Sequence, residues 1–331
     1  GVEQIKYANA YNGALVAMNP KTGEVLAMVG SKDYFGNSLP KTCKAGVNCK
    51  FDPQVNVALS LRQPGSAFKP IIYALAFYKG YSHQTIVVDS FPEFNSNCSP
   101  SGTQVKDKYG LKCYHPNNYD GIFKGPITLK SALAESRNVP AVKVLSFAGI
   151  KETLDLAKKL GITTLKTEND YGLALALGGA EVKLLELTAV YGALANDGVK
   201  TPINVIKKIE DPQGKITEEM RINNLKVIPS QIARQLNNIL SDNIARAPVF
   251  GLHSPLYVEG YDVAVKTGTT QQYNNDWAIG YSPSVVVGVW VGNNDNSPTT
   301  KSGAILAGPI WNKFIVEALK KMPKENLKKS N

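Results

Sequence analysis

The 331 residues carry 43% hydrophobic and 19% charged side chains, which is globular usage and excludes a disordered or collagen-like chain. A net charge of +10 and a pI of about 9.2 would attract polyanions, but no nucleic-acid-binding motif accompanies them. The charge reads instead as a solvated basic surface with a Lys-rich end (Lys320, Lys321, Lys324, Lys328, Lys329).

In chain order, residues 14–19 and 24–30 alternate apolar and small side chains around Asn19-Pro-Lys-Thr-Gly23, which predicts a hairpin. Residues 53–61 predict a short helix broken at Pro64-Gly65. From Ser66 the apolar positions Phe68, Ile71, Ile72, Leu75 and Ala76 fall at helical spacing. Pro70 is tolerable only near the start of that helix, which places its N-terminus close to Ser66. Residues 81–126 read mostly as loop. Helices are predicted at 128–136, 140–147, 151–160, 182–196 and 230–244, with a strand and turn at 205–214. Strands follow at 262–266, 277–281 and 285–292, and an amphipathic helix at 309–320 closes the chain. Strands at both ends and helices between them predict an α+β fold, with one antiparallel sheet built from the two ends and the helical middle packed on it.

No linker or internal repeat divides the sequence, so residues 1–325 are expected as one domain and 326–331 as a Lys-rich tail. No apolar run reaches the roughly 18 residues of a membrane span, and residues 1–13 lack signal-peptide character. If the protein is exported, its targeting segment lies upstream.

Four cysteines, Cys43, Cys49, Cys98 and Cys113, allow three pairings. A zinc site wants close-spaced pairs or a Cys/His cluster, and only His115 stands near one of them. Free buried thiols are a third possibility. The segments around the cysteines are long loops rich in Gly, Pro, Ser, Asn and Lys, where crosslinks help most. Disulfides are therefore favoured, with the local pairing Cys43–Cys49 and Cys98–Cys113, and an oxidising compartment follows from them.

Three short motifs occur in order: Ser66-Ala-Phe-Lys69, Ser136-Arg-Asn138 and Lys266-Thr-Gly-Thr269. Each alone is weak. Ser66 and Lys69 share one helical face, so the amine can take the hydroxyl proton if its pKa falls far below the free value of about 10.4. Burial, the helix N-terminus and a second cation, Lys266, would all push it down. The Lys266 strand offers an edge to an extended peptide, with Gly268 leaving room for the substrate backbone. Lys266, Thr267 and Thr269 would hold a carboxylate, and the N–H groups of Ser66 and Thr269 would form an oxyanion hole. Lys21-Thr-Gly23 and Ser241-Asp-Asn243 imitate two of the motifs. The first sits in a hairpin turn before the nucleophile, and the second at a helix end shortly before Lys266, so Ser136 is preferred to Ser241.

The ordered trio is a signature of penicillin-binding proteins and class A β-lactamases. Arg62-Gln-Pro-Gly-Ser-Ala-Phe-Lys-Pro70 resembles the nucleophile segment of class A (bifunctional) penicillin-binding proteins. So do the residues 14–30, Leu175-Ala-Leu-Gly-Gly-Ala-Glu-Val182, Asp276-Trp-Ala-Ile-Gly-Tyr-Ser-Pro283 and Val289-Trp-Val-Gly-Asn-Asn294. The resemblance runs from about Asn12 to Ala318. It implies a β-lactamase/DD-transpeptidase-like fold, a central antiparallel sheet flanked by helices with a helical subdomain. It also implies D,D-transpeptidase activity on peptidoglycan stem peptides through an acyl-serine on Ser66. In the implied mechanism Lys69 is the base, Ser136, placed by Asn138, relays a proton to the leaving amine, and Lys266, Thr267 and Thr269 recognise the carboxylate.

The implied partners are D-Ala-D-Ala donors, amine acceptors, β-lactams and cell-wall synthesis proteins. No metal or organic cofactor and no nucleic acid is implied. The implied location is extracytoplasmic, anchored by an upstream segment, with the chain a fragment that lacks a glycosyltransferase domain. The cysteine loops are not part of the family pattern, and a structural staple is the expected role.

A β-lactamase would need a carboxylate base, for which Glu168 and Glu181 are the nearby residues. Glu181 falls in the penicillin-binding pattern, and no hydrolase motif surrounds Glu168. A sensor module would carry a Ser-x-Val middle motif, unlike Ser136-Arg-Asn138. A carboxypeptidase shares the donor chemistry and differs only in its acceptor.

Overall fold

The structure is a computed structural model that describes residues 7–91, 93–95, 97–99 and 101–330. Residues 1–6 of the stretch searched for a signal peptide, three positions in the second cysteine loop region and Asn331 of the tail lie outside the described residues. The predicted hairpin forms from β1 (Asn12–Met18) and β2 (Val25–Val29), turning at Gly23 with φ +74°. That left-handed conformation suits glycine, and a Cβ there would also strike Pro202 O at 1.8 Å. The helix expected at 53–61 is only a 3₁₀ turn, Val57–Leu59. Its Asn56 side chain caps the turn, while Val57 N–H bonds Gly30 O, so tertiary pairing takes the backbone that a helix would use.

A 3₁₀ turn at Gly65–Phe68 runs into α1 (Lys69–Tyr78). The region read as loop adds a small hairpin, β3 (Ile86–Asp89) with β4 (Gly125–Thr128). Then come α2 (Leu129–Ala134), α3 (Asn138–Ala148), α4 (Ile150–Leu160) and α5 (Leu184–Ala195), close to the predicted helices. Four short strands form two exposed or half-exposed ribbons: β5 (Val199–Lys200) with β8 (Leu225–Lys226), and β6 (Lys208–Glu210) with β7 (Ile216–Glu219). The helix predicted over 230–244 is two helices, α6 (Ser230–Leu240) and α7 (Asn243–Phe250). Asp242 accepts from Ala245 N–H and starts the second one, which periodicity alone does not reveal.

The chain returns through β9 (Ala264–Thr269), β10 (Asn275–Tyr281) and β11 (Val286–Gly292), and ends in α8 (Gly303–Leu319). Pro309, read as the start of that helix, lies inside it. The sheet order is β2-β1-β11-β10-β9, antiparallel throughout, so the two chain ends build one sheet with β9 at an edge.

Alternation along β11 gives the sheet two dry faces. Val286 and Trp290 join the larger core with α1, α5 and α6, whereas Val287, Val289 and Val291 join a second core beneath α8. Gly288 faces the larger core, where a Cβ would meet Thr188 Oγ1 at 2.1 Å, so α5 lies close against the strand. The cysteines pair as Cys43–Cys49 and Cys98–Cys113, with Cα separations of 5.1 and 5.8 Å. Their sulfurs are thereby taken up and unavailable as zinc thiolates. The Lys-rich end lies against the body of the fold: Leu327 is buried, its N–H bonds the Asp262 carboxylate, and Lys329 pairs with the same carboxylate.

Ile315 is fully buried in the second core and Ile305 on the same helix is exposed. Ile315→Ala is expected to lower unfolding free energy by about 2–5 kcal/mol and Ile305→Ala by less than about 0.5 kcal/mol, as read by chemical denaturation.

Candidate active site

Three glycines let three backbones meet around Ser66. Gly65 has φ +53°, and a Cβ on it would fall 2.5 Å from Thr269 O. Gly178, with φ +73°, stands against Gly65 N, where its Cβ would fall at 2.3 Å. A Cβ on Gly268 would meet Pro64 O at 2.2 Å. Beyond the room expected there for a substrate backbone, the missing Gly268 side chain lets Pro64 and Ala67 of the Ser66 turn close on β9. The side chains clamp the same turn. Trp277 Nε1 donates to Gln63 O at 2.9 Å and the Tyr191 hydroxyl to Ala67 O at 2.8 Å. Arg62 exchanges backbone bonds with Val182, and its guanidinium donates to Asn294 O and Asn296 Oδ1. The segments 175–182, 276–283 and 289–294 thus converge on Ser66 and hold it in place.

Lys69 is entirely buried. Its Nζ donates to Ser136 O at 2.8 Å, Arg137 O at 3.0 Å and Asn138 Oδ1 at 2.9 Å. Burial drives its pKa well below the ordinary lysine value, and the charges of Lys266 and Arg137 add to the effect. A neutral amine keeps two N–H groups, so it releases one of the three acceptors and gains a lone pair.

Ser136 takes φ +60° between α2 and α3, an uncommon conformation for a side-chain-bearing residue. Its hydroxyl accepts from Lys266 Nζ at 2.7 Å, and Lys266 also donates to Thr267 O at 3.0 Å. Burial, with Arg246 as a second cation, pushes the Lys266 pKa down to about 7. Lys69, Ser136, Asn138 and Lys266 therefore form one hydrogen-bonded cluster joining α1, the α2–α3 turn and the edge strand. Thr267 and Thr269 lie on that strand, and Thr269 Oγ1 accepts from Gly303 N–H, the first residue of α8, at 2.9 Å. β9 pairs with β10 alone among the described strands, so its other edge carries no strand partner.

The middle motif rests on groups to which the sequence analysis gave no role. Arg137 points away from the cluster. Its Nε donates to Asp89 Oδ2 at 3.0 Å, its Nη1 to Asp120 Oδ2 at 2.6 Å, and its Nη2 to Ile122 O. Asn118 Oδ1 accepts from the backbone N–H of Asn138 and Val139, and its amide donates to Asp89 Oδ1 at 2.7 Å. Asp89 and Asn118 are separated by the long disulfide-bearing loop, so no local pattern could link them to Ser136. The available signal was an arginine set between two largely apolar helical stretches. The decoys lie elsewhere: Lys21 pairs with Glu325, and Ser241-Asp-Asn243 is the α6–α7 junction, where Asp242 pairs with Lys130.

Arg137 and Asp89 are both buried, and truncating one would strand the other charge. Arg137→Ala is expected to cost about 3–5 kcal/mol of stability in chemical denaturation and to slow any acylation that depends on the Ser136 turn.

The penicillin binding protein transpeptidase domain, as a sequence family, matches residues 13–315. Penicillin-binding protein 1A of Aquifex aeolicus (strain VF5) is 34% identical over 317 residues, covering 95% of this chain and 39% of that protein. The chain thus spans about two fifths of that curated relative. The crystal structure of penicillin-binding protein 1A from Haemophilus influenzae superposes with a TM-score of 0.78 at 25% identity, over 96% of this chain and 48% of the other. A ceftriaxone acyl-enzyme complex of penicillin-binding protein A from M. tuberculosis shares the fold, with a TM-score of 0.75 at 20% identity over 96% of this chain and 77% of that one. With the family matched across nearly the whole chain and the sheet, helices and clustered motifs in place, this chain belongs to the penicillin-binding protein transpeptidase domain family.

Proposed function

We propose that this domain cross-links peptidoglycan stem peptides by D,D-transpeptidation through an acyl-enzyme on Ser66, and that β-lactams acylate the same hydroxyl. The observation that carries the reading is the wholly buried Lys69 amine, one turn from Ser66 and bonded to the Ser136 turn that Lys266 also grips.

Neutral Lys69 takes the Ser66 proton as Oγ attacks the penultimate D-Ala carbonyl carbon. The resulting oxyanion accepts from the N–H groups of Ser66 and Thr269, whose backbones the Gly65 contact brings together. The C–N bond then breaks and the departing D-alanine amine takes a proton from Ser136 Oγ, which the proton now on Lys69 replaces, so that Lys266, 2.7 Å from Ser136 Oγ, keeps its charge for the carboxylate. The donor lies along the open edge of β9, with its terminal carboxylate at Lys266, Thr267 and Thr269. An amine of a second stem peptide attacks the ester carbonyl and gives a proton to neutral Lys69, which passes it to Ser66 Oγ as the acyl C–O bond breaks. Water in place of that amine gives carboxypeptidase side activity, seen as D-alanine release without dimer formation when an acceptor is supplied.

The two disulfides support work outside the cytoplasm. There an upstream segment would anchor the domain beside other cell-wall synthesis proteins.

Intact-mass analysis after penicillin treatment should give one adduct per chain, mapping to the Ser66 peptide and absent from Ser66→Ala. An adduct on another residue, or none on the parent, overturns the assignment. Ser136→Ala should slow acylation by about 10²–10⁴-fold, whereas Ser241→Ala should leave it within about twofold. Equal effects would undo the choice between the two serines.

A further inference from the structure

Behind the carboxylate-recognition strand lies a carboxyl group that the mechanism leaves unused. Asp276 on β10 stands opposite Thr269 in the strand register and is fully buried. The Thr299 hydroxyl oxygen lies 2.9 Å from Asp276 Oδ2, 2.9 Å from Tyr273 O and 3.2 Å from Lys301 O. A hydroxyl has one proton, and here it faces three acceptors if Asp276 is ionised. Asp276 Oδ1 has no hydrogen-bond partner among the described residues. A buried carboxylate with no cation beside it and one oxygen unpartnered is costly, whereas a carboxylic acid supplies the donor that Thr299 lacks.

The groups around Asp276 fit the neutral form. Thr269 from β9 and Thr299 from the segment before α8 present hydroxyls, and Val291 of β11 is its apolar register partner. Tyr119 packs on Tyr273 with ring centroids 6.2 Å apart, and its ionisation is disfavoured by its hydrogen bond to Tyr273, by burial and, least, by the Asp276 charge. Among the described residues no lysine, arginine or histidine forms an ion pair with Asp276. Burial pushes its pKa up to about 8, against the opposing pull of the Thr299 and Thr269 hydroxyls.

We propose that Asp276 is a positioning residue held as a neutral acid. It donates to Thr299, Thr299 donates to Tyr273 O, and the Thr269 hydroxyl proton is left for the substrate carboxylate. Thr269 Oγ1 already accepts from Gly303 N–H, so with Asp276 neutral its single proton is free for that carboxylate. An ionised Asp276 competes for that proton and sets a negative charge behind the site where the substrate carboxylate binds. This rests on the carboxylate-binding role proposed for Thr269. The linkage sign follows from a raised carboxyl pKa: the folded state holds a proton that the unfolded chain has lost above about pH 4. The associated stability therefore declines as pH rises from about 4 to about 8.

The test is the second-order rate constant for acylation by benzylpenicillin, from pH 6 to 9.5, for the parent, Asp276→Asn and Asp276→Ala. The asparagine amide can donate to Thr299 but cannot ionise. The ratio of the Asn variant to the parent should be level up to about pH 7 and about tenfold higher by pH 9, as a group of pKa near 8 loses its proton. Lys69 and Lys266 titrate in both proteins and cancel in the ratio. The alanine variant should be slower than the asparagine variant at every pH. A flat ratio across the range overturns this inference while leaving Ser66 acylation intact; a parent that is never acylated overturns the proposed function itself. If the asparagine variant does not fold, the carboxyl ¹³C titration of the parent decides. An aspartate titrating near 8 supports the inference, and none above about 5 overturns it.

Discussion

The burial of one amine organises this molecule. Lys69 opens α1 inside the larger core, and its three hydrogen bonds reach the carbonyls and amide oxygen of the Ser136–Asn138 turn. Desolvation makes the charged form costly, and the nearby cations Lys266 and Arg137 make it costlier. Everything around it keeps that environment fixed. The glycine contacts seat the Ser66 turn on β9, and the Arg137–Asp89–Asn118 group braces the Ser136 turn from behind. Lys266 joins β9 to the Ser136 turn. A lysine in water keeps its proton near neutral pH; one sealed in this way holds it far less tightly, as the base role proposed for Lys69 requires.

The sheet explains why the clustered motifs lie where they do. Both faces of the central strands are dry, so a ligand cannot approach through them. The open side is the free edge of β9, and the Ser66 turn, the Ser136 turn and the start of α8 all gather there. Because β9 follows the helical middle in sequence and β1 precedes it, the sheet closes only when both ends of the chain have met. The site is therefore a non-local product of the fold, and its precision depends on packing far from Ser66.

Much of this was legible beforehand. The hairpin turn at Asn19-Pro-Lys-Thr-Gly23, the helix after Ser66 and the three valine- and tryptophan-rich strands each carry a local signal that periodicity and turn chemistry can read. Local cysteine pairing followed from loop composition and matches the two disulfides. What escaped was set by distant partners. Asn56 and Gly30 turned an expected helix into a 3₁₀ turn, and Asp242 divided another. Gly268 carries a reason the sequence did not show, because its missing side chain makes room for Pro64. Arg137, Asp89 and Asn118 form a support that no spacing could reveal, since loop residues bring them together across the chain.

The charge state of Lys69 is the quantity on which all of this turns, and it can be read directly. Lysine side-chain ¹³C NMR as a function of pH, with the Lys69 signal identified by its loss in Lys69→Ala, gives its titration. The account predicts that the amine deprotonates well below the free lysine value of about 10.4. A Lys69 that keeps its proton to that pH or above would contradict it.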